Sequence, residues 1–337
     1  MQETGPWLRT VIMVGVLLLG GMAALGQAQV ARVGLITDVG KVDDRTFNEF
    51  AYKGMIRAVQ ELGLKSTFIE TQQPTDFEKN IEQLVRQEYD LLITVGFMLG
   101  DATKKMALKY PQVRFAIVDF AYTPPLPNVV GLTFAEDQAG FLAGALAGFI
   151  TTSRTVGMVA GMEIPPVVRF RQGYDAGVKY VCPTCQVLGV YLDSFVDPAR
   201  GKTAALSQHD EGADVIFGGG GTTGSGAILG AAQAGVWAIG VDQDEYMTTF
   251  KQGEIRGAQK LLSSAMKRVD QAVYGVIKRA AQGGFHGGTE VFDVGNDGVG
   301  LAPFHGAEHA IPETVKTRLR DITAGLKAGA ISIGVGR

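Results

Sequence analysis

Short apolar runs alternate with helical patterns along almost the whole chain, and this alternation limits the possible folds more than any other feature. Apolar residues in segment 46–62 recur close to every 3.6 positions, as in an amphipathic helix, and segments 76–88 and 102–109 show the same pattern. Continuous apolar strands separated by helices are typical of a parallel sheet with helices on both faces. The sequence therefore predicts an α/β fold. The predicted strands are 33–36, 66–69, 91–95, 115–118, 129–132, 156–159, 187–191, 215–217 and 236–241.

This strand–helix pattern runs through the chain twice, over residues 31–150 and then over residues 151–256. We therefore expect two similar α/β lobes, and 337 residues are enough for two domains of ordinary size. Apolar residues make up 46% of the chain, which favours a folded protein even with 46 glycines. The net charge is −3 and no basic block occurs, so the sequence predicts no nucleic-acid partner.

Residues 1–28 have the features of a secretory signal peptide. The apolar run 11–25 has 15 residues, fewer than the roughly 20 that a membrane-spanning helix needs. Small residues at Gly26 and Ala28 offer a cleavage site, so we expect cleavage near Ala28 and export from the cytoplasm. An uncleaved membrane anchor is the alternative. Because no cysteine lies near this site, we expect a periplasmic or cell-surface-associated protein without an N-terminal lipid anchor.

The two cysteines, Cys182 and Cys185, stand in a Cys-Pro-Thr-Cys sequence just before a predicted strand. In a cytosolic protein this spacing would suggest redox chemistry, but no helix is predicted to start here and lower the pKa of a thiol. A zinc site would need two more ligands, and the sequence has no second cysteine pair. In an exported protein we expect a local structural disulfide.

Segment 136–150 predicts a helix lined with glycine and alanine. Gly140, Gly144 and Gly148 are spaced four apart and therefore share one face. Small residues on this face would let a neighbouring element approach closely. The apolar part is too short to span a membrane.

Polar residues follow the first predicted strand and surround one aromatic side chain. Asp38, Asp43, Asp44 and Asn48 lie close to Phe47 in the sequence, where a helix is predicted to begin. Polar groups that converge beside a ring at the end of a parallel strand are typical of a small-molecule site. Acids at a helix start are also favoured by capping and by the helix dipole, so this alternative stays open for Asp43 and Asp44.

The second half of the chain has a comparable arrangement. Phe195 follows the predicted strand 187–191, so Phe47 and Phe195 would lie one per lobe at equivalent strand ends and bracket a flat ring. Either ring could instead be an unburied core residue. The glycine-rich run 218–226 follows a strand and opens a helix, where free backbone N–H groups can bind a ligand, although it does not fit G-x-G-x-x-G cleanly. Asp242 ends the next strand, where an acid can hold a ribose-like diol.

Motifs for catalysis or metal binding are weak. His305, Glu308 and His309 have the spacing of an inverted zincin, but Gly306 and the Ile-Pro pair that follows argue against the long helix this site needs. No G-x-S-x-G sequence occurs. We therefore predict no enzymatic activity, no cofactor and no metal.

Several segments resemble, in order, the basic membrane protein family. Its members are substrate-binding proteins of ABC transporters and include purine nucleoside receptors. The resemblance covers nearly the whole chain after the predicted cleavage site. The matching segments are 37–40, 43–48, 96–97, 101–102, 118–119, 136–144, 240–244 and 264–270.

The resemblance implies the fold of a type I periplasmic binding protein. This fold has two Rossmann-like lobes, joined by three crossovers that form a hinge, with a ligand cleft between the lobes. The N-terminal lobe would comprise residues 29–150 and about 257–293. The C-terminal lobe would comprise residues 151–256 and about 294–337.

The resemblance also implies which residues contact the base of a purine nucleoside. Phe47 and Phe195 would sandwich the purine. Asp119 would contact the base with Asn48 alongside, and Asp38 would be a further base contact.

At the other end of the ligand, the resemblance implies that Gly221 lends backbone groups and that Asp242 holds the ribose hydroxyls. Lys267 would contact the ribose side or orient Asp242. Val196 departs from the family, which often has a polar residue after the phenylalanine, so the fine ligand preference stays open.

The sequence thus predicts a monomer that captures a purine nucleoside, or a related small molecule, by lobe closure and delivers it to an ABC permease. A ligand sensor for a membrane receptor would have the same site. An N-ribohydrolase also holds a nucleoside with clustered N-terminal acids, through Ca²⁺, and such a chain opens with roughly D-T-D-x-G-x-D-D. Here Ile36 stands in place of the first acid of that pattern, and two residues instead of one separate Gly40 from Asp43. A dinucleotide-dependent oxidoreductase is a further alternative.

Overall fold

The structure is a computed structural model that describes residues 1–2 and 30–334. The predicted signal peptide lies outside the described residues, apart from its first two. Across residues 30–334 no helix is both long and apolar enough to cross a membrane.

Strands and helices alternate along the described chain. The strands are β1 (Arg32–Thr37), β2 (Lys65–Ile69), β3 (Leu91–Val95), β4 (Arg114–Val118), β5 (Val129–Phe134), β6 (Thr155–Ala160), β7 (Gln186–Tyr191), β8 (Val215–Gly219), β9 (Trp237–Asp242), β10 (Leu261–Lys267), β11 (Gly288–Phe292) and β12 (Val299–Leu301). The α-helices are α1 (Phe47–Leu62), α2 (Phe77–Arg86), α3 (Gly100–Lys109), α4 (Glu136–Ile150), α5 (Pro165–Val181), α6 (Pro198–Asp210), α7 (Gly221–Gln233), α8 (Val269–Ala281) and α9 (Glu313–Lys327). The predicted strands are all confirmed, and the predicted helices begin and end close to these bounds.

The strands form two six-stranded sheets with the same plan. The order is β11-β5-β4-β3-β1-β2 in the first sheet and β12-β10-β9-β8-β6-β7 in the second. Neighbouring strands are parallel except β12, which runs antiparallel to β10. Every residue of β3 and of β8 is buried, as expected for central strands covered by helices on both faces. The predicted α/β fold is thus confirmed.

The chain passes between the sheets three times, and two of these passages differ from the predicted boundaries. Helix α4 packs against α5, β10 and β12, so the first lobe ends near residue 135 and not at 150. Strand β10 pairs with β9 in the second sheet, so the return to the first lobe falls near residue 268 and not at 257. Helix α8 packs on α1, and β11 pairs with β5 of the first sheet. The errors arose because these packing partners are distant in the sequence.

Small residues let α4 and α5 cross at very close range, as the glycine pattern in α4 predicts. A Cβ atom on Gly144 would lie 2.1 Å from the carbonyl oxygen of Tyr174 in α5. The contact is reciprocal, because a Cβ atom on Gly177 in α5 would lie 2.0 Å from the carbonyl oxygen of Phe141. A side chain at either position would force the helix backbones apart.

Replacing Gly144 with alanine is therefore expected to destabilise the protein by about 1–3 kcal/mol, because the methyl group would overpack the helix contact. Gly275 in α8 is a matched control, since the nearest atom to a Cβ there is Nη1 of Arg279 at 3.6 Å. Alanine at Gly275 should stabilise the helix by roughly 0.5–1 kcal/mol. Urea unfolding measures both effects, and equal losses at the two positions would contradict the close-contact account.

Cys182 and Cys185 form the expected local disulfide at the end of α5. Lys179 Nζ, one turn earlier, donates a hydrogen bond to the carbonyl oxygen of Cys185. The bridge thus joins the end of the helix to the segment that leads into β7.

Candidate functional site

The cleft between the two lobes carries the candidate site. Residues that follow the strands of both sheets line its cavity, which has a volume of about 430 Å³, a size suited to a small molecule. The structure brings all of the predicted site residues to this cavity: Asp38, Phe47, Asn48, Asp119, Phe195, Gly221, Asp242 and Lys267.

Asn48 is held in one orientation by the loop that follows β1. Its Nδ2 donates a hydrogen bond to the carbonyl oxygen of Val39 at 2.9 Å. Its Oδ1 is buried and has no hydrogen-bond partner among the described residues. Because buried acceptors normally have a partner, this oxygen is suited to accept from a donor group of a ligand.

Asp44 is a capping residue at the start of α1. Its carboxylate accepts hydrogen bonds from the backbone N–H groups of Thr46, Asn48 and Glu49 at 2.8, 3.1 and 3.0 Å. The start of a helix leaves such N–H groups without partners inside the helix. The capping interpretation is therefore confirmed for Asp44, which fixes the beginning of the helix that carries Phe47.

Phenylalanine rings from both lobes line the cavity, and two of them, Phe97 and Phe170, were not among the predicted site residues. The ring of Phe195 lies so close to Gly161 that a Cβ there would be 2.4 Å from it. The prediction that Phe47 and Phe195 lie at equivalent strand ends is wrong. Phe47 follows β1, whose counterpart is β6, whereas Phe195 follows the edge strand β7.

Gly221 opens α7 with a left-handed backbone, at a φ of 58°. A Cβ atom here would lie 2.5 Å from the carbonyl oxygen of Phe195, so a side chain would collide with the backbone. The residue lines the cavity at the N-terminus of the helix. Backbone N–H groups and the helix dipole favour ligand acceptor groups at this position.

Asp119 and Asp242 occupy matching positions in the two lobes, directly after β4 and at the end of β9. Both have a positive φ, of 71° and 65°, which is uncommon for residues with a side chain. Burial raises the pKa of Asp242 to about 7, and it raises the pKa of Asp38 to about 7 as well. Buried acids with a strained backbone in a cleft are typical of functional sites.

Lys267 is a buried cation within an ion network that the sequence did not predict. Its Nζ lies 2.6 Å from Oδ1 of Asp119 and 2.9 Å from Oε1 of Glu136. Nε of Arg169 donates to Oε2 of Glu136 at 2.7 Å. Burial alone would lower the pKa of Lys267, but the neighbouring carboxylates raise it, so the side chain stays charged.

The position of Lys267 also bears on its predicted role. In the part of the chain that the structure describes, its ion pairs are with Asp119 and Glu136 and not with Asp242. Direct orientation of Asp242 by an ion pair is therefore not seen. The Nζ atom lies 5.1 Å from the centre of the Phe47 ring, at the wall of the cavity.

Among the described residues, two hydrogen bonds from side chains to backbone groups join the lobes across the cleft, in addition to the ion pair between Lys267 of the second lobe and Asp119 of the first. Nε2 of Gln243 donates to the carbonyl oxygen of Thr46 at 3.1 Å, and Oγ1 of Thr248 donates to the carbonyl oxygen of Arg45 at 3.1 Å. The acceptors precede α1 in the first lobe, whereas the donors follow β9 in the second. The structure thus shows the lobes in direct contact, in a closed arrangement.

The inverted zincin pattern lies outside the cleft in a short 3₁₀-helix, His305–Ala310. Nε2 of His305 lies 2.6 Å from Oδ2 of Asp244, and the His305 ring stacks on Tyr246. Over residues 30–334, no group of three or more His, Cys, Asp or Glu side chains is arranged to hold a metal ion. In this structure His305 of the pattern packs against the segment that follows β9.

Two α/β lobes that close over an aromatic and acidic cavity define a class of proteins that hold a small molecule between their lobes. The sequence model of one such family, described as ABC transporter substrate-binding protein PnrA-like, matches residues 31–324. The chain belongs to this family, and the resemblance to basic membrane proteins is confirmed.

Individual relatives agree with this assignment. The ABC transporter nucleoside-binding protein BmpA of Lactococcus lactis is 33% identical over 308 residues, which cover 87% of each chain. An uncharacterised lipoprotein of Pyrococcus abyssi is 32% identical, over 90% of this chain and 77% of that protein. A crystal structure of ABC transporter system solute-binding proteins from Aeropyrum pernix K1 matches with a TM-score of 0.81 and 28% identity, over 90% of this chain and 92% of that chain.

Family and fold together establish the general function. The protein has the type I periplasmic binding protein fold and is a substrate-binding protein of an ABC transporter. Such proteins act outside the cytoplasm, bind a small molecule and work with a transporter. The family consists of binding proteins and not of enzymes.

Proposed function

We propose that the protein captures a purine nucleoside by closure of its two lobes and delivers it to the permease of an ABC transporter. One observation carries this proposal: a single closed cavity combines aromatic rings, buried carboxylates and the start of a helix. A nucleoside offers the matching parts, namely a flat base, ribose hydroxyl donors and ring acceptors. The nucleoside-binding name of the Lactococcus lactis relative supports the same ligand class.

In this proposal the base lies between Phe47 and Phe195, one from each lobe, so that ligand binding favours the closed arrangement. Aromatic stacking contributes about 0.5–1.5 kcal/mol per pair beyond the burial of apolar area. Asp119, Asn48 and Asp38 lie at the base end. The unpartnered Oδ1 of Asn48 is suited to accept a hydrogen bond from a base N–H group.

The ribose lies toward the second lobe. There the Asp242 carboxylate accepts hydrogen bonds from the ribose hydroxyls, and backbone groups at Gly221 contact the ligand from the start of α7. Hydrogen bonds to a charged group contribute about 1.5–3 kcal/mol each. Lys267, held by Asp119 and Glu136, supplies a fixed positive charge at the same wall.

The three passages between the sheets are the proposed hinge. Opening would break the hydrogen bonds that Gln243 and Thr248 make across the cleft, and closure around a ligand would restore them. The closed form is the one that a permease would recognise.

We also propose a monomer that is exported, loses residues 1–28 and carries no N-terminal lipid anchor.

Nucleoside affinity is expected to rise with pH between about 5.5 and 8. The pKa of Asp242 is raised to about 7 in the empty cleft, whereas the ribose hydroxyls need the ionised carboxylate as acceptor. Affinity should therefore increase by up to tenfold per pH unit, roughly, below pH 7. Titration at several pH values measures this slope, and Asp242→Asn should reduce it, although Asp38, whose pKa is also raised to about 7, titrates in the same range. A slope that is unchanged in the variant would contradict the assignment of Asp242.

The same pKa shift predicts how the stability of the empty protein depends on pH. A raised carboxyl pKa means that the native state binds more protons than the unfolded state between the ordinary value of 3.8 and about 7. The free energy of unfolding should therefore decrease as pH rises through this window. Asp242→Asn should reduce the decrease, as urea unfolding at pH 5 and pH 7.5 would show.

The ligand class can be tested directly on protein purified without refolding. Denaturation of the protein, followed by mass spectrometry of the released small molecules, should yield a purine nucleoside in an amount comparable to the protein. Phe47→Ala protein, prepared in parallel, should release much less. A different class of compound, present at similar amounts and lost in the variant, would overturn the nucleoside proposal but keep the site.

A further inference from the structure

Glu245 is a fully buried carboxylate that lies outside the lining of the cleft. Its Oε1 accepts a hydrogen bond from the backbone N–H of Val241 at 3.1 Å. Its Oε2 accepts from Oγ of Ser225 at 2.7 Å and from Oγ1 of Thr249 at 2.6 Å. Among the described residues it forms no ion pair, so hydroxyl and amide donors alone stabilise this carboxylate.

These hydrogen bonds join the two structural elements that carry the second lobe's side of the site. Val241 directly precedes Asp242 at the end of β9, and Ser225 lies near the start of α7, the helix that Gly221 opens. Glu245 therefore connects the proposed ribose carboxylate to the proposed backbone donors through a single side chain.

The backbone at Asp242 needs such support. The N–H of Gln243 donates to the carbonyl oxygen of Val241 at 2.8 Å, and the φ of Asp242 is 65°. A turn closed by an i to i+2 hydrogen bond around a residue with positive φ is rare and strained. Strained backbone persists only where the surrounding structure holds it. The bond from Val241 N–H to Glu245 fixes the first residue of this turn.

The surrounding packing is shaped for the carboxylate. A Cβ atom on Gly240 would lie 2.9 Å from Oε1 of Glu245, so glycine leaves the space that the carboxylate occupies. The backbone N–H of Glu245 donates to Oγ of Ser264 on β10 at 3.1 Å, which ties the residue to a third element. Burying a carboxylate without a cation is unfavourable for the stability of the protein. We therefore assign Glu245 a role in holding the geometry of the backbone around it.

We propose that Glu245 is a positioning residue for ligand binding: it holds the strained turn at Asp242 and the start of α7 as one rigid unit. This inference rests on the proposed role of Asp242 in nucleoside binding. Glu245 does not touch the ligand and acts through Val241, Ser225 and Thr249.

The first test compares two buried serines of the second lobe, neither of which lines the cavity. Oγ of Ser225 bonds to Glu245, whereas Oγ of Ser263 donates to the carbonyl oxygen of Ala302 at 2.8 Å, away from the turn. Both alanine variants lose a buried hydroxyl donor and should fall in Tm, somewhat more in Ser225→Ala because its bond is to a carboxylate. Inosine binding should weaken by about threefold to tenfold in Ser225→Ala and less than twofold in Ser263→Ala. Equal affinities in the two variants would overturn the proposal.

The second test uses Glu245→Gln, which keeps the volume and one acceptor oxygen but cannot accept from all three donors. Amide hydrogen exchange of the ligand-free protein should be faster at residues 240–245 and 221–226 than in wild type and in Ser263→Ala. Unchanged exchange at both segments would overturn the proposal.

This second measurement does not depend on a nucleoside. If wild type binds inosine but Ser225→Ala binds equally well, the positioning role fails and the proposed function stands. If wild type binds no nucleoside, the proposed function fails, and the exchange data alone decide whether Glu245 holds the turn.

Discussion

Replacing Lys267 with methionine is expected to destabilise the protein by about 3–5 kcal/mol, because it leaves the buried carboxylates of Asp119 and Glu136 without their shared cation. Lys267 is 2% exposed, so water cannot replace the lost charge. Arg169 continues to pair with Glu136, which leaves Asp119 as the group most affected. Urea unfolding at pH 7 measures the loss.

The control is Lys105→Met, which removes an ion pair of similar length on the surface. Lys105 Nζ lies 2.6 Å from Oε2 of Glu78, but both side chains are largely exposed. Solvent screens such a pair, so little stability should be lost. Equal destabilisation by the two substitutions would contradict the claim that the buried ion network stabilises the protein more than a surface ion pair does.

The second large effect is expected in ligand binding. Phe47→Ala should weaken nucleoside binding at least about tenfold, because the variant loses both stacking and apolar contact with the base. Asp242→Asn should weaken it about tenfold to a hundredfold, because the variant loses a charged acceptor. Asparagine is chosen because it tolerates the positive φ of Asp242 better than alanine does. Isothermal titration gives both affinities, and circular dichroism checks that the variants fold.

Phe68→Ala provides the matched control for Phe47→Ala. Phe68 is an exposed phenylalanine on β2, packed edge-on against Tyr52 and outside the cavity. Its loss should leave nucleoside affinity unchanged. If both Phe47→Ala and Asp242→Asn bind nucleoside with wild-type affinity, the proposed location of the binding site is wrong.

The alternation of apolar runs was sufficient to predict the α/β fold and the strands up to β9. It did not identify β10, β11 or β12. Strand β10 contains Ser263, Ser264 and Lys267, and the residues of β11 alternate between half-buried and exposed, so neither is a continuous apolar run. The lobe boundaries failed for a related reason. Helix α4 follows the first sheet in sequence, but its glycine face packs on α5 of the second lobe, which is a long-range contact.

Sequence reasoning located residues of the cavity where a local motif marks them. Asp38, Phe47, Asn48 and Asp242 each stand in a short segment that follows or ends a strand, and all reach the cavity. Glu136 was interpreted as part of a helix and of a segment that resembles the family, and no role in the site was predicted for it, although its carboxylate pairs with Lys267.

Arg169, Phe170 and Glu245 were also missed. Their roles arise from contacts with distant segments, which no local pattern in a single sequence reveals. The segment 240–244 resembles the family, but the spacing of Glu245 from Asp242 gave no sign that its carboxylate reaches back to Val241.

The central claim is that the cleft recognises a purine nucleoside through both its base and its ribose. Calorimetric titration of the refolded protein with adenosine, guanosine, inosine and free adenine tests it most directly, because refolding removes any ligand carried through purification. We predict tight binding of at least one nucleoside and no comparable binding of adenine, since adenine cannot engage Asp242 as ribose does. Absence of binding across the panel, or equal binding of adenine and adenosine, would contradict the claim.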